Sequence, residues 1–361
     1  MRLANRFDLV AGAFSSDPET SLEAGEALGV ALDRNYRDFH EMAASESNRA
    51  DKIDLAVVTT PNHLHFEPCK LFLEAGISVV CDKPLVNFSR EARELQDIAA
   101  ADDTFFAVTY TYTGYPMVRD ARARIRNGDI GSIRFMYVEY LLDWLAGDSS
   151  KLGKGAIWRA DPAKAGPTGA LADIGTHAFN ILEFLSGQRC TALNATLLKT
   201  VDSFGLDDTD VVQLQFENGA NGLLWTGLAA PGHRNGLRFK IVGTKATIEW
   251  QQEEPETLHV SRLGKADLIY RRGHNDLTPD AALCTSLSAG CPEAYLEALA
   301  ILYCDYATAL EAGRQWRNKL AVPIADLHEG LRGVLLSEVA VESSFLKSWV
   351  PFPVSCWAKK S

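Results

Sequence analysis

Asp173 and His177 stand four residues apart in the run Gly166-Pro167-Thr168-Gly169-Ala170-Leu171-Ala172-Asp173-Ile174-Gly175-Thr176-His177. On a helix that spacing makes them neighbours on one face, while Leu171, Ile174, Ala178, Ile181 and Leu185 form an adjacent apolar stripe. One face packs and the other is free for chemistry. An imidazole with a pKa near 6.5 is a natural proton acceptor from an alcohol, and a carboxylate beside it can orient the ring or the substrate. A capped helix with a satisfied Asp–His pair fits the same spacing. A second group is Cys81-Asp82-Lys83-Pro84 at the end of an apolar run. The Lys83 ammonium could donate to a reacting hydroxyl and favour the alkoxide as hydride leaves; a lone Lys-Pro is also an ordinary surface turn. The third is Thr59-Thr60-Pro61-Asn62-His63-Leu64-His65. Thr60 and Asn62 could hydrogen-bond a ribose or an amide, with Pro61 holding the backbone close. A polar strand-to-helix turn capped by His65 has the same composition. His63 and His65 lack an evident third ligand, so no metal centre is expected.

These residues need elements to hold them. The first part of the chain repeats short apolar run, turn and helical segment, the form of parallel βα units. The runs are Phe7 to Phe14, Asp54 to Thr60, Ile77 to Cys81 and Phe105 to Tyr110. Ser16-Asp17-Pro18-Glu19 is a helix start, with a capping side chain ahead of proline. The Thr60 and Lys83 groups then fall at strand C-termini, where open parallel sheets bind ligands. After Gly128-Asp129-Ile130-Gly131 come longer alternating strands: Ser132 to Tyr140, Ala192 to Leu198, Val211 to Phe216, Ala220 to Gly227, Leu237 to Val242 and Thr247 to Gln251. Turns such as Glu217-Asn218-Gly219 point to a largely antiparallel sheet. Loops with a short hairpin are expected over Gln252 to Ala289, and helices over Pro292 to Ala312 and Ile324 to Phe345. The reading is two domains, 1–128 and 129–350.

With 361 residues, 47% hydrophobic and 23% charged, the chain can bury a full core. A net charge of -11 argues against nucleic acid or an anionic membrane as partner. Seven cysteines without C-x-x-C spacing suit reduced thiols in a cytoplasm. No stretch is long and apolar enough for a membrane span or a leader.

The three groups, in this order, resemble the glucose-fructose oxidoreductase / inositol dehydrogenase / rhizopine catabolism family, Gfo/Idh/MocA, over nearly the whole chain. Thr60-Pro61-Asn62 with His65 resembles the family's T-P-N-x-x-H cofactor loop, and Asp82-Lys83-Pro84 its E-K-P motif with Asp for Glu. Trp158-Arg159 followed by Gly166 to His177 resembles W-R…G-G-G-x-x-x-D-x-G-x-H. Gly243-Thr244-Lys245-Ala246 and Phe216-Glu217-Asn218-Gly219-Ala220 resemble sheet turns of its C-terminal domains. The resemblance implies a Rossmann-like parallel sheet followed by a largely antiparallel substrate and oligomerisation domain. It implies an NAD(P)-dependent dehydrogenase of a sugar, inositol or other polyol, assembled as a dimer or tetramer through the exposed face of the second sheet. Lys83 would contact substrate and nicotinamide ribose, His177 would be the general acid/base, and Asp173 would orient the substrate. The cofactor loop would include Thr60, Pro61, Asn62, His65, Asp82, Pro84, Trp158 and Arg159.

The chain also departs from the family. It has no G-x-G-x-x-G; Gly153-Lys154-Gly155 lacks the third glycine and falls in the second domain. Phe7 to Phe14 is therefore expected to be the fold's second strand, with the first strand and glycine loop missing. The expected causes are a start codon placed too late or a truncated gene, the latter giving weak cofactor binding and little turnover. Ser15 and Ser16 could accommodate a 2′-phosphate and Asp17 the free hydroxyl, so NAD or NADP fits, with a lean toward NAD. Gly290-Cys291-Pro292-Glu293-Ala294-Tyr295 resembles a G-H-P-E-G-Y segment, with Cys291 in place of a pocket histidine. Tyr112, Asp143 and Trp144 complete the pocket candidates. Two other readings remain: an NAD-dependent glycosidase of the same fold, and a non-catalytic remnant.

Overall fold

The computed structural model describes residues 1–102, 104–147 and 158–353; Gly153-Lys154-Gly155 lies outside them. Helix α1 (Pro18–Leu28) starts where the sequence signals it, with Asp17 accepting the Thr20 N–H and Pro18 in the first turn. Helix α2 (Phe39–Ser47) is capped the same way by Asp38. Three short strands follow, β1 (Leu55–Val58), β2 (Ser78–Asp82) and β3 (Phe106–Thr109), parallel and adjacent in that order. Helices α3 (Phe66–Glu74) and α4 (Ser89–Asp102) make the crossovers. β3 is buried at every position, as a parallel strand covered on both faces must be.

Phe7 to Phe14 is not a strand. The segment is tied down by a single bridge at Gly12, whose N–H donates to the Arg34 carbonyl and whose carbonyl accepts from the Tyr36 N–H. A strand exists only as part of a hydrogen-bonded ladder, and among the described residues no strand runs beside this segment.

Helix α5 (Pro116–Arg126) leads into the second sheet. Its strands are β4 (Ile133–Leu141), β5 (Cys190–Leu198), β6 (Thr209–Phe216), β7 (Asn221–Gly227), β8 (Gly236–Gly243), β9 (Ala246–Gln251), β10 (Thr257–Arg262), β11 (Leu268–Arg271) and β12 (Val350–Pro351). The spatial order is β11-β10-β9-β8-β4-β7-β6-β5-β12. Each pairing is antiparallel except the central β4–β7 pair, which is parallel. β10 and β11 are the hairpin expected in the irregular region. Along β6 the inward positions Val212, Leu214 and Phe216 alternate with Val211, Gln213 and Gln215 on the outer face.

Helix α6 (Thr176–Ser186) packs on β4, and α8 (Leu327–Leu346) on β5. The two helices are joined by a buried ion pair in which the Arg332 guanidinium donates to both Glu183 oxygens at 2.7 and 2.5 Å. Arg332 also lies against the rings of Phe179 and Phe352. Helix α7 (Tyr295–Ala312) returns to the first sheet, where Leu302, Tyr303 and Tyr306 pack on Val80, Phe105 and Ala107. The Val108 N–H donates to the carbonyl of Ala325, just ahead of α8.

Candidate active site

The turn after β1 carries Thr60, Pro61 and Asn62, and the turn after β2 carries Lys83 and Pro84, both at the C-terminal edge of the parallel sheet. His65 joins the two turns. It is 1% exposed, with Nδ1 2.9 Å from the Pro84 carbonyl and Nε2 2.7 Å from the Thr60 carbonyl. The expected helix cap is therefore absent, and the ring serves as a cross-strut. Burial lowers the His65 pKa against the opposing pull of the surrounding carbonyls and Asp82.

Ahead of α6, residues Leu171–Gly175 form a π-helical turn, where the spacing alone suggested continuous α-helix. Asp173 is its central residue. The Lys83 ammonium donates to the Asp173 backbone carbonyl at 2.5 Å and to Oδ1 at 3.0 Å. Arg159 Nε lies 3.4 Å from Oδ2, and its guanidinium rests on the Trp158 ring. Burial opposes ionisation of Asp173, but Lys83 and Arg159 together hold its carboxyl below the usual range.

His177, on the first turn of α6, is 7% exposed and Nδ1 has no protein partner. Burial, reinforced by the Lys83 ammonium and only partly offset by Asp173, pushes its pKa well below the usual value. The ring is neutral near pH 7. Tyr110 and Tyr112 meet it edge-on at 5.7 and 5.0 Å, and Tyr140 lies at 6.2 Å. Tyr112 and Tyr140 share a hydrogen bond of 2.5 Å, and the Tyr140 hydroxyl donates to Asn235 Oδ1 at 2.7 Å. Neither Tyr140 nor Asn235 is among the site candidates drawn from the sequence. The signal for Tyr140 was its place on the inward stripe of β4 after Met136 and Val138; Asn235 carried none.

Other candidates fall elsewhere. Ser15 Oγ accepts from the Asp17 N–H, and the Asp17 carboxylate is engaged with Thr20 at the start of α1. Thr60 Oγ donates to the Leu64 carbonyl. Cys291 is exposed, and its carbonyl accepts from Arg272. That segment meets the aromatic cluster through Tyr295, 6.4 Å from Tyr112. Trp144 packs edge-on against Phe204.

Asn62, Trp158, Arg159, Thr168 and Asp173 line one cleft. The cleft offers the Asn62 amide and the Arg159 guanidinium, and its Asp173 carboxylate is the group that Lys83 contacts from outside the lining.

Residues 2–110 match the family described as "Oxidoreductase family, NAD-binding Rossmann fold", and residues 118–249 match the "GFO/IDH/MocA C-terminal domain". The chain is 34% identical to the uncharacterized oxidoreductase YfiI of Bacillus subtilis over 96% of its own length and 90% of that protein. It is 28% identical to the levoglucosan dehydrogenase of Pseudarthrobacter phenanthrenivorans, covering 94% and 88%. Among solved structures it is similar to an inositol dehydrogenase homologue from Azotobacter vinelandii complexed with NADH and myo-inositol. The TM-score is 0.89 and the identity 33%, over 96% of this chain and 90% of that one.

Proposed function

The chain belongs to the Gfo/Idh/MocA family of oxidoreductases with an NAD-binding Rossmann domain, and from that premise we propose that it oxidises a ring hydroxyl of a sugar, inositol or related polyol. Either NAD or NADP could serve, with NAD favoured. The observation that carries the reading is the Lys83–Asp173 contact beside a buried neutral His177 at the sheet's C-terminal edge. The substrate hydroxyl lies between Lys83 and His177, His177 takes its proton, and the Lys83 ammonium holds the developing alkoxide. Asp173 keeps Lys83 in place and orients the neighbouring hydroxyl. A bound nicotinamide would supply the acceptor for the hydride that leaves the carbinol carbon. Asn62 and Lys83 would hold its ribose and carboxamide, with Trp158 and Arg159 closing the cleft.

Residues 1–128 are assigned to the nucleotide and 129–350 to substrate and subunit contacts. Phe135, Val211 and Trp225 are exposed on the outer face of the second sheet, which supports a homodimer or homotetramer formed there. A monomer mass by light scattering would exclude it. Free cysteines and the absence, among the described residues, of a helix able to cross a membrane are consistent with a cytoplasmic enzyme.

The test is NADH formation by the purified protein with a panel of polyols that includes myo-inositol and levoglucosan. One NADH per substrate oxidised is expected. Aglycone release from glycosides without net NADH would replace the reading with a glycosidase, and failure to bind NAD+ or NADP+ would overturn both.

A further inference from the structure

The stretch Asp207-Asp208-Thr209-Asp210 puts three fully or nearly fully buried carboxyls beneath the π-helical turn. Asp208 has its donors: the N–H groups of Thr200 and Val201 and the hydroxyls of Thr200 and Thr209. Asp207 serves the turn above it. Its Oδ1 accepts from the Gly169 N–H at 2.7 Å, its Oδ2 from the Leu171 N–H at 3.1 Å, and its backbone carbonyl from the Ala170 N–H at 2.9 Å. Three successive amides leading to Asp173 thus end on one residue. The approach is so close that a Cβ on Gly169 would lie 2.4 Å from the Asp207 carbonyl oxygen.

Asp210 is different. It occupies the first inward position of β6, on the stripe continued by Val212, Leu214 and Phe216. Thr226, its partner across β7, donates to Oδ2 at 2.9 Å, and Oδ1 has no donor. An anion buried with a single donor is unfavourable, and the Asp207 carboxylate, within side-chain hydrogen-bond reach of it, makes it more so. One proton between Asp207 and Asp210 removes the difficulty.

We propose that Asp207 and Asp210 are positioning residues: Asp210 retains a proton and donates it to Asp207, whose carboxylate fixes the Gly169 and Leu171 amides so that Asp173 meets Lys83. Burial, the Asp207 charge and the Asp208 charge all act to keep Asp210 protonated, with only Thr226 favouring its anion by contact. The charged group of the π-helical turn above, Asp173, is engaged by Lys83 and Arg159. The catalytic consequence rests on the function proposed for Lys83 and Asp173; the shared proton and the anchoring do not.

The variants are Asp207→Asn and Asp210→Asn in the full chain. Melting curves from pH 4 to pH 8 test the proton without any substrate. A carboxyl raised in the folded state costs stability as pH climbs above its unfolded value near 4, so the Tm of Asp210→Asn relative to wild type should rise across that range. A difference independent of pH overturns the shared proton. Amide hydrogen exchange tests the anchoring: Asp207→Asn should exchange faster over residues 169–176 with the rest of α6 unchanged, and wild-type protection there overturns it. If Asp207→Asn does not fold, Asp207→Glu, which keeps the charge and displaces both oxygens, takes its place. With NAD+ and myo-inositol as probe, Asp207→Asn should lose about 100-fold in kcat with KM little changed. If wild type is inactive on that probe while melting and exchange behave as stated, the functional reading fails and the anchoring stands.

Discussion

Replacing Lys83 with Met removes the ammonium and keeps the length of the side chain. Two contacts are lost, at 2.5 Å to the Asp173 carbonyl and 3.0 Å to its carboxylate. Without the donor aimed at the alkoxide, kcat should fall by about 10²–10³-fold, or about 2.7–4 kcal/mol. Asp173 is then left with Arg159 at 3.4 Å. Stranding a buried carboxylate costs about 3–5 kcal/mol, and Arg159 with partial exposure of Asp173 brings that to about 2 kcal/mol. At about 2 °C per kcal/mol for a long chain, Tm should drop by about 4 °C. The assay is NADH formation and thermal melting near neutral pH for Lys83→Met, Asp173→Asn and the double variant. The double variant should regain most of the lost Tm and none of the rate, because neutralising Asp173 removes the stranded charge without restoring a donor. A Lys83→Met enzyme within about threefold of wild-type kcat would refute the role of the ammonium.

His177 should keep kcat/KM level as pH falls to about 6.5, with the acid limb below that value; a limb centred above pH 7 would contradict a buried neutral base. Since the unfolded imidazole takes up its proton first, the stability contributed by His177 is present above pH 6.5 and lost as pH falls further, and His177→Asn should lack that slope in a melting series. Gly169→Ala forces a shift of backbone at the Asp207 carbonyl and should cost about 1–3 kcal/mol, so an unchanged Tm in denaturation would sink the close-approach argument. His65→Phe keeps the shape of the strut without its nitrogens. Fluorescence titration should show the NADH Kd raised about tenfold, equivalent to about 1.4 kcal/mol, and an unaltered Kd would mean the two turns hold themselves.

The sheet-edge placement of the Asn62 and Lys83 turns was legible from a short-range rule, since an apolar run that ends in a polar turn ends at a sheet edge; Asp173 stood out only through its spacing of four from His177. The strands of the second sheet were legible from alternation, and their observed ends lie close to the expected ones. Phe7 to Phe14 met the same local criterion and failed it in three dimensions, because strand formation is decided by a neighbour that local pattern does not contain. The π-helical turn escaped because a spacing of four residues keeps Asp173 and His177 on one side in either helix type. Tyr140 and Asn235 come together only through the register of β4 with β8, in which Tyr140 faces Leu237. The bracing role of His65 was not legible because its partners Pro84 and Leu85 are supplied by the next strand's turn.

The return of α7 to the first sheet bears on how the chain is made. Val80, Phe105 and Ala107 emerge early from a ribosome, whereas Leu302, Tyr303 and Tyr306, which cover them, emerge near the end. Through most of synthesis that apolar face has no lid, and the nascent sheet must be shielded by other means or wait unfinished. Its last hydrogen-bond partner, the Ala325 carbonyl, arrives later still. The half of the molecule translated first is thus completed last, and a premature stop anywhere before α7 would leave an open sheet with its sticky side exposed.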